Sequence, residues 1–227
     1  VAGLATAFLL IALAAPAAPA QMTGIRNTKH NLSATSANSV RATSESEICV
    51  FCHTPHGGRT DAPLWNRNTA GAAYTPYTSP SLQGSTGQPN GYSKLCLSCH
   101  DGTIALGDVV NTPNASPSGS IQMTGVAGDG TMPAGRTRLG TNLANDHPVS
   151  FVYDVALQSA DGELRNPATI GAWDVRLYEG ATPGVANTVQ CTSCHDPHTD
   201  ARPKFLRRNQ RGQADNLCLA CHDKTGW

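Results

Sequence analysis

The amino-acid sequence predicts a mostly irregular, loop-rich fold with short α-helices at four cysteine motifs and a small β element. Three observations predict it. Leu, Ile, Val and Phe make up only about 16% of residues 21–227, below the roughly 20% that usually supports an aliphatic core. All eight cysteines fall in short motifs. The stretches 68–93 and 111–146, which separate motifs, are rich in Gly, Ser, Thr, Asn and Pro, as loops are.

The net charge and the apolar first twenty residues limit what kind of protein this can be. The chain has 16 basic and 16 acidic residues, so it has no basic excess for binding nucleic acid. Residues 1–20 are uncharged, mostly apolar, and end in Ala18-Pro19-Ala20. This pattern predicts a secretory signal peptide that is removed, and therefore an exported protein. No second apolar run is long enough to span a membrane.

The four cysteine motifs carry the chemistry, because each is Cys-x-x-Cys followed directly by His. Two thiols one helical turn apart can form thioethers to one edge of a haem, and the next residue can bind the iron. The motifs predict four covalent haem c groups, which would supply the missing apolar core. The predicted attachment residues are Cys49, Cys52, Cys96, Cys99, Cys191, Cys194, Cys218 and Cys221, with His53, His100, His195 and His222 as proximal iron ligands.

Two other interpretations of the cysteines are possible. Eight cysteines could form two Cys₄ zinc sites, or four disulfides in an exported protein. Neither interpretation explains why a histidine follows every pair. Haem attachment explains it directly.

The count of histidines predicts the second ligand of each iron. Outside the motifs lie four further histidines, which are His30, His56, His147 and His198. Four irons need four more ligands, so we predict that these histidines are the distal ligands. Methionine is the competing ligand type, and Met22, Met123 and Met132 are available. We expect these methionines to fill loops and gaps instead.

Two of the four histidines follow their motif at one spacing, in His53-Thr54-Pro55-His56 and His195-Asp196-Pro197-His198. Three residues span at most about 10 Å. Two histidine backbones on opposite faces of one iron lie roughly 12–13 Å apart, with metal–nitrogen bonds of about 2 Å. His56 and His198 are therefore each predicted to ligate the haem of a different motif.

The motifs form an internal repeat, which predicts a domain organisation and a ligand pairing. A leading histidine and two motifs recur in a first dihaem module, 21–110, and in a second, 147–227, with 111–146 as a linker. Within modules, His30 would serve the haem of His53, and His56 that of His100. Likewise, His147 would serve the haem of His195, and His198 that of His222.

Local patterns add four smaller predictions. Residues 43–47 contain a capping-box sequence that predicts a helix leading into the first motif. Asp215 or Asn216 could cap the last motif. Alternation at 149–153 and 175–177 predicts a small sheet in the second half. Arg67 and Arg207, which match when the repeats are aligned, are candidates for binding haem propionates.

Several segments resemble the doubled-CXXCH family of exported multihaem cytochromes. They are Lys29 to Ser33, Ile48 to Gly57, Pro63 to Arg67 and His147 to Phe151. The chain is also similar to the tetrahaem OmcE-type cytochromes of metal-reducing bacteria, which form extracellular filaments. The resemblance implies a homopolymer with a continuous row of haems, two histidines on each iron, and a ligand that can come from a neighbouring subunit. His30 is the expected donor in trans, in competition with the within-module pairing.

The predicted function is electron transfer, since irons with two histidine ligands have no open position for a substrate. The leading hypothesis is an extracellular filament subunit that passes respiratory electrons from partner cytochromes to external acceptors. A monomeric periplasmic shuttle is the alternative. The third hypothesis is a multihaem reductase with one open haem. No catalytic residue is predicted, because no Ser–His–Asp pattern or catalytic carboxylate pair is evident.

Overall fold

Regular secondary structure is sparse, as the sequence predicts. A computed structural model describes residues 24–60, 62, 64–69, 71–112, 119–179, 186–209 and 216–224. In this part, the α-helices are α1 (Gly91–His100), α2 (Val155–Asp161) and α3 (Cys191–Cys194), and the strands are β1 (Arg41–Ala42), β2 (Met123–Thr124), β3 (Phe151–Val152) and β4 (Thr188–Val189). Loops and short 3₁₀ turns connect them. The predicted fold class is therefore confirmed.

The strands form two small antiparallel pairs. Arg41 of β1 faces Thr124 of β2, and Phe151 of β3 faces Val189 of β4. The predicted small sheet in the second half is confirmed at Phe151, whose partner is β4. Val175 is buried in the adjoining apolar cluster, and the chain pairs with β4 just after the predicted stretch 175–177, where Tyr178 faces Thr188.

Helix and turn ends test the capping predictions. The first motif lies on a 3₁₀ turn, Cys49–Phe51, and no helix leads into it from the predicted capping box at 43–47. The last motif lies on the 3₁₀ turn Leu217–Ala220. There the Asn216 side chain accepts a hydrogen bond of 2.9 Å from the Cys218 N–H. The predicted cap at Asn216 is confirmed.

The apolar core is divided into small clusters. The largest buries six residues of the second half: Phe151, Tyr153, Ile170, Val175, Val189 and Ala220. A second cluster buries Ala42, Phe51, Val109 and Ile121, and a third Tyr74, Leu97 and Leu143. Residues 119–146, predicted as linker, thus contribute Ile121, Leu143 and strand β2 to the packed structure.

Helices α1 and α3 cap each other. The fully buried Gln190 side chain accepts hydrogen bonds from the Ser93 N–H (2.9 Å) and hydroxyl (2.7 Å) at the start of α1. In return, the Ser93 hydroxyl accepts a bond of 3.0 Å from the Cys191 N–H at the start of α3. Because helix N-termini leave N–H groups without partners, this exchange fixes the two helices together, and with them the second and third motifs.

The predicted signal peptide, 1–20, lies outside the described residues. Within the described ranges, no helix is long and apolar enough to cross a membrane.

Candidate functional site

Each cysteine motif occupies one turn of helix. The second motif forms the end of α1, the third forms α3, and the other two form 3₁₀ turns. In three motifs the histidine N–H bonds back to the carbonyl of the first cysteine, at 2.7 Å for His53, 3.0 Å for His195 and 2.9 Å for His222. A single turn places residues three apart on one face. Both cysteines of a motif can therefore reach one haem edge.

Six of the eight histidine rings lie in three facing pairs. The ring centroids are 6.1 Å apart for His30 and His100, 6.2 Å for His53 and His198, and 6.4 Å for His147 and His222. Two metal–nitrogen bonds of about 2 Å, plus about 1 Å from each nitrogen to its ring centroid, separate two trans imidazoles by about 6 Å. Each pair thus has the spacing of two axial ligands on one iron.

These pairs differ from the predicted within-module pairing for His30, His147 and His198, although His147 also lines the cavity of Cys191, Cys194 and His195, the motif that this pairing gives it. In each module the leading histidine faces the second motif, because His30 faces His100 and His147 faces His222. His198 of the second module faces His53 of the first. The repeat limits which histidine rings can pair. The choice among these pairs depends on packing between residues far apart in the chain, and the spacing of residues along the sequence does not encode that packing.

Packing between the two halves explains where His30 lies. Its ring stacks on Phe205 with centroids 4.3 Å apart, and its Nδ1–H donates to the Pro197 carbonyl at 3.0 Å. Both partners belong to the second module. The segment that positions His198 therefore also positions His30.

Backbone carbonyls orient the rings for metal binding. The Nδ1–H groups of His100, His147 and His195 donate to the carbonyls of Thr137, Pro148 and Lys204, each at 2.8 Å. With the Nδ1 proton held by a carbonyl, the Nε2 lone pair is left free as a ligand, as is usual for metal-binding histidines. Sequence reasoning missed these acceptors, because any residue has a backbone carbonyl.

Burial also favours the protonation form that binds metal. The pKa values of His30, His53, His100 and His222 are lowered, chiefly by burial, which disfavours the charged ring. Only a neutral imidazole has a free lone pair for iron. Both the ring geometry and the local environment thus prepare these histidines for coordination.

His56 and His195 remain outside the three pairs. All eight histidines lie in the described ranges, and there neither of these two rings faces another imidazole. Both residues are exposed. His195 is nevertheless oriented by Lys204 like the other ligands. Its cavity is also lined by His147, whose ring faces His222 at 6.4 Å.

Cysteines of successive motifs interact with one another. Cys52 of the first motif interacts electrostatically with Cys99 of the second, and Cys194 of the third does so with Cys221 of the fourth. Cys96 and Cys191 link the second motif to the third through a side-chain hydrogen bond, which raises the pKa of Cys96. A direct contact thus joins the second motif to the third, and electrostatic interactions connect the first to the second and the third to the fourth.

The surroundings of the motifs fit a large flat apolar group. One cavity of about 330 Å³ is lined by Cys191, Cys194 and His195 together with apolar residues, among them Leu97, Leu143 and Val189. Another cavity of about 330 Å³ is lined by Cys49, His53 and neighbouring residues. The first cavity, with both thiols of a motif, an oriented imidazole and apolar walls, matches the donor set of haem c. The second has one motif thiol and His53 among more polar residues.

The arginines predicted to bind propionates have other partners. Arg67 has no exposed surface and donates four hydrogen bonds within the protein. Arg207 is also buried, and its Nη1 lies 3.4 Å from Asp196. The structure therefore does not support the propionate assignment for either residue.

Of the methionines, Met123 packs against the buried Val109 and Ile121 cluster, in agreement with its predicted gap-filling role. Met132 lies half-buried in a loop, where its carbonyl accepts from Arg138 at 3.3 Å. Met22 lies outside the described residues.

Comparison with known proteins supports the class of protein that the cysteine motifs predict, a c-type cytochrome. Residues 184–226 match the doubled CXXCH motif family. The chain is also 30% identical over 162 residues to C-type cytochrome OmcS of Geobacter sulfurreducens, an alignment that covers 66% of this chain and 32% of that protein. The chain thus spans about a third of the length of this curated relative. Together with the four motifs, these similarities support a multihaem c-type cytochrome of the doubled-CXXCH type.

Proposed function

We propose that this cytochrome binds four haem c groups, transfers electrons, and joins copies of itself into an extracellular filament. The observation that carries the proposal is the set of ring pairs, which supplies two histidines for three motifs and leaves His195 and His56 without facing rings. When bound, haem iron supplies one-electron chemistry by cycling between its ferric and ferrous forms.

The repeat supports His56 as the ligand that links neighbours. The second module's His-x-Pro-His segment sends His198 to the first motif of the other module, where it faces His53. If the first module's segment does the same, His56 pairs with the first motif of a second module, at His195. Within one chain that pair does not form, so the matching His195 belongs to a neighbouring copy. This proposal replaces His30, which faces His100 in its own chain, as the donor in trans.

When this contact is repeated from one copy to the next, it adds subunits without limit. It joins two different surfaces, one around His56 and one around His195, and a heterologous contact of this kind generates an open filament when its rotation does not close. The adjacent cysteines of successive motifs support a row of four cofactors in each subunit. The filament would then carry respiratory electrons from partner cytochromes to external acceptors. Export would depend on the predicted signal peptide at 1–20.

Two alternatives give His195 a different role. In a periplasmic monomeric shuttle, the third haem takes its second ligand within one chain or does without it. In a reductase, the open position beside His195 binds a small substrate. The exposed His195 is the observation that favours the reductase hypothesis, because a five-coordinate iron can bind a substrate directly.

Electron microscopy of the purified extracellular cytochrome fraction, with the subunit identified by mass, tests the filament. We expect uniform filaments whose subunit mass includes four haems. Carbon monoxide binding separates the alternatives: reduced filaments should bind almost none, whereas a reductase should bind one carbon monoxide per chain in its working form. Single particles of monomer size would overturn the filament proposal, and a mass with fewer than four haems would overturn the predicted haem count.

A further inference from the structure

A buried arginine lies between the first two motifs. Arg67 has no exposed surface. Its Nε donates to the Ser98 hydroxyl at 3.3 Å and its Nη2 to the Ser98 carbonyl at 3.1 Å. The Leu106 and Ala105 carbonyls accept two further bonds, at 2.8 and 3.0 Å. Four of the five guanidinium N–H groups are therefore bonded to uncharged acceptors.

This guanidinium is close to two haem-attachment motifs. Ser98 lies between Cys96 and Cys99 of the second motif. On the other side, Asn66, next to Arg67 in the chain, donates its backbone N–H to the Cys52 carbonyl at 2.9 Å and its side-chain amide to the Val50 carbonyl at 2.7 Å, both in the first motif. A fixed positive charge is thus enclosed beside both cofactor sites of the first module.

The Arg67 charge has no carboxylate partner in the described part of the chain. No Asp or Glu there lies within 4.0 Å of its guanidinium. Asp101, the buried carboxylate nearest in sequence to Ser98, accepts instead from the Tyr74 hydroxyl at 2.6 Å and from Thr103. Since Arg67 is enclosed by protein atoms, a haem propionate could not reach it without opening the packing.

The second module differs in this respect. Its buried Arg207 lies 3.4 Å from Asp196 and 4.0 Å from Asp174, so its charge is compensated. Arg207 donates from its backbone to the Cys194 carbonyl, as Asn66 does to the Cys52 carbonyl. The structural counterpart of Arg207 is therefore the uncharged Asn66, and that of Arg67 is Arg208. Arg208 is only half-buried and lies over the Trp173 ring at 5.0 Å, whereas Arg67 is fully enclosed by the protein.

We infer that Arg67 raises the reduction potential of the first-module haems above that of the second-module haems. Reduction adds an electron, and a buried positive charge stabilises the added negative charge more strongly than an exposed one would. Burial and fixed charges are among the levers by which proteins set haem potentials. The inference rests on the proposed haem attachment. In a filament, this difference would make the haem reduction potentials alternate between first and second modules.

The ring pairs provide a way to observe one of these haems alone. The His53 and His198 rings are nearly parallel, at 13°, whereas the other two pairs are near perpendicular, at 69° and 75°. Ferric haems with parallel and perpendicular axial imidazoles give different electron paramagnetic resonance signals. Among the haems of the three motifs with facing rings, the near-parallel signal should report that of the first motif, beside Arg67, and His198→Ala should remove it.

A redox titration of the full holoprotein monitored by electron paramagnetic resonance tests the inference. In the wild type, the near-parallel signal should be among the first two lost on reduction. Arg67→Gln should lower its midpoint by about tenfold in the redox equilibrium constant, or about 59 mV for one electron, and Arg67→Lys should restore it. The control Arg26→Gln removes an exposed charge and should leave the midpoint unchanged, because solvent screens it.

Several outcomes would overturn the inference. One is a near-parallel signal among the last two to disappear in the wild type, a measurement that stands even if Arg67→Gln fails to fold. Another is an equal shift in Arg67→Gln and Arg67→Lys, which would indicate a packing effect and not a charge effect. Failure of the proposed haem attachment is distinguishable, because the wild type would then lack four haems by mass.

Discussion

The two His-x-Pro-His segments have nearly the same sequence but different surroundings. Both histidines are exposed, but His198 of the second module faces His53 at 6.2 Å, whereas His56 of the first faces no imidazole in the described part of the chain. The local spacing of ligands is thus conserved within the repeat, but only one copy finds its partner inside the chain. The difference indicates that the first segment is available to a second molecule.

The strongest test of this difference replaces each histidine in turn. We expect His56→Ala to abolish filaments and to leave one carbon monoxide site per reduced chain at the haem of His195. The matched variant, His198→Ala, should open the haem of His53 inside the chain but still assemble. Electron microscopy and carbon monoxide titration measure both effects. Normal filaments from His56→Ala would contradict the proposed linkage, and so would loss of filaments only in His198→Ala.

A second comparison concerns the leading histidines, His30 and His147, which face the second motif of their own modules. Replacing either with Met should give one haem His/Met ligation, which raises its reduction potential. We expect a rise of at least tenfold in the redox equilibrium, about 59 mV, and loss of one near-perpendicular resonance signal. If His30→Met altered the near-parallel signal instead, His30 would serve the haem of His53, as the within-module pairing predicts.

The cysteine motifs could be predicted from the sequence, whereas the histidine ring pairs could not, and this difference has a physical basis. Thioether attachment requires a fixed local spacing, so the sequence is enough to predict the four motifs and the sparse secondary structure. Ring pairing depends on contacts such as His30 with Phe205 and Pro197, which join residues far apart in sequence. Local patterns carry no information about those contacts.

The arginine prediction failed for a related reason. Sequence alignment of the repeats matches Arg67 with Arg207, but the structure shifts the correspondence by one residue. Trp65 pairs with His53, and Leu206 pairs with His195. The preceding residues, Leu64 and Phe205, both have positive φ, at 60° and 61°, which marks them as the same backbone position. A shift of one residue changed which arginine lies beside which motif.

The smallest expected effect concerns the contact that holds the modules in register. Gln190 is fully buried, and its Nε2 also donates to Asn90 and Thr188, each at 3.1 Å. Gln190→Met keeps the volume but leaves the Ser93 N–H and other buried groups without partners. We expect a loss of about 2–4 kcal/mol in the free energy of unfolding, because each unsatisfied buried group costs about 1–3 kcal/mol.

Denaturant unfolding of the holoprotein, followed by circular dichroism, measures this loss. The matched control is Gln83→Met, at an exposed loop position, where a change within about 0.5 kcal/mol is expected. Equal stability of the two variants would mean that the reciprocal capping of α1 and α3 contributes little. A selective loss at Gln190 would instead make this polar contact the element that fixes Cys96 beside Cys191, and so the junction between the two haem modules.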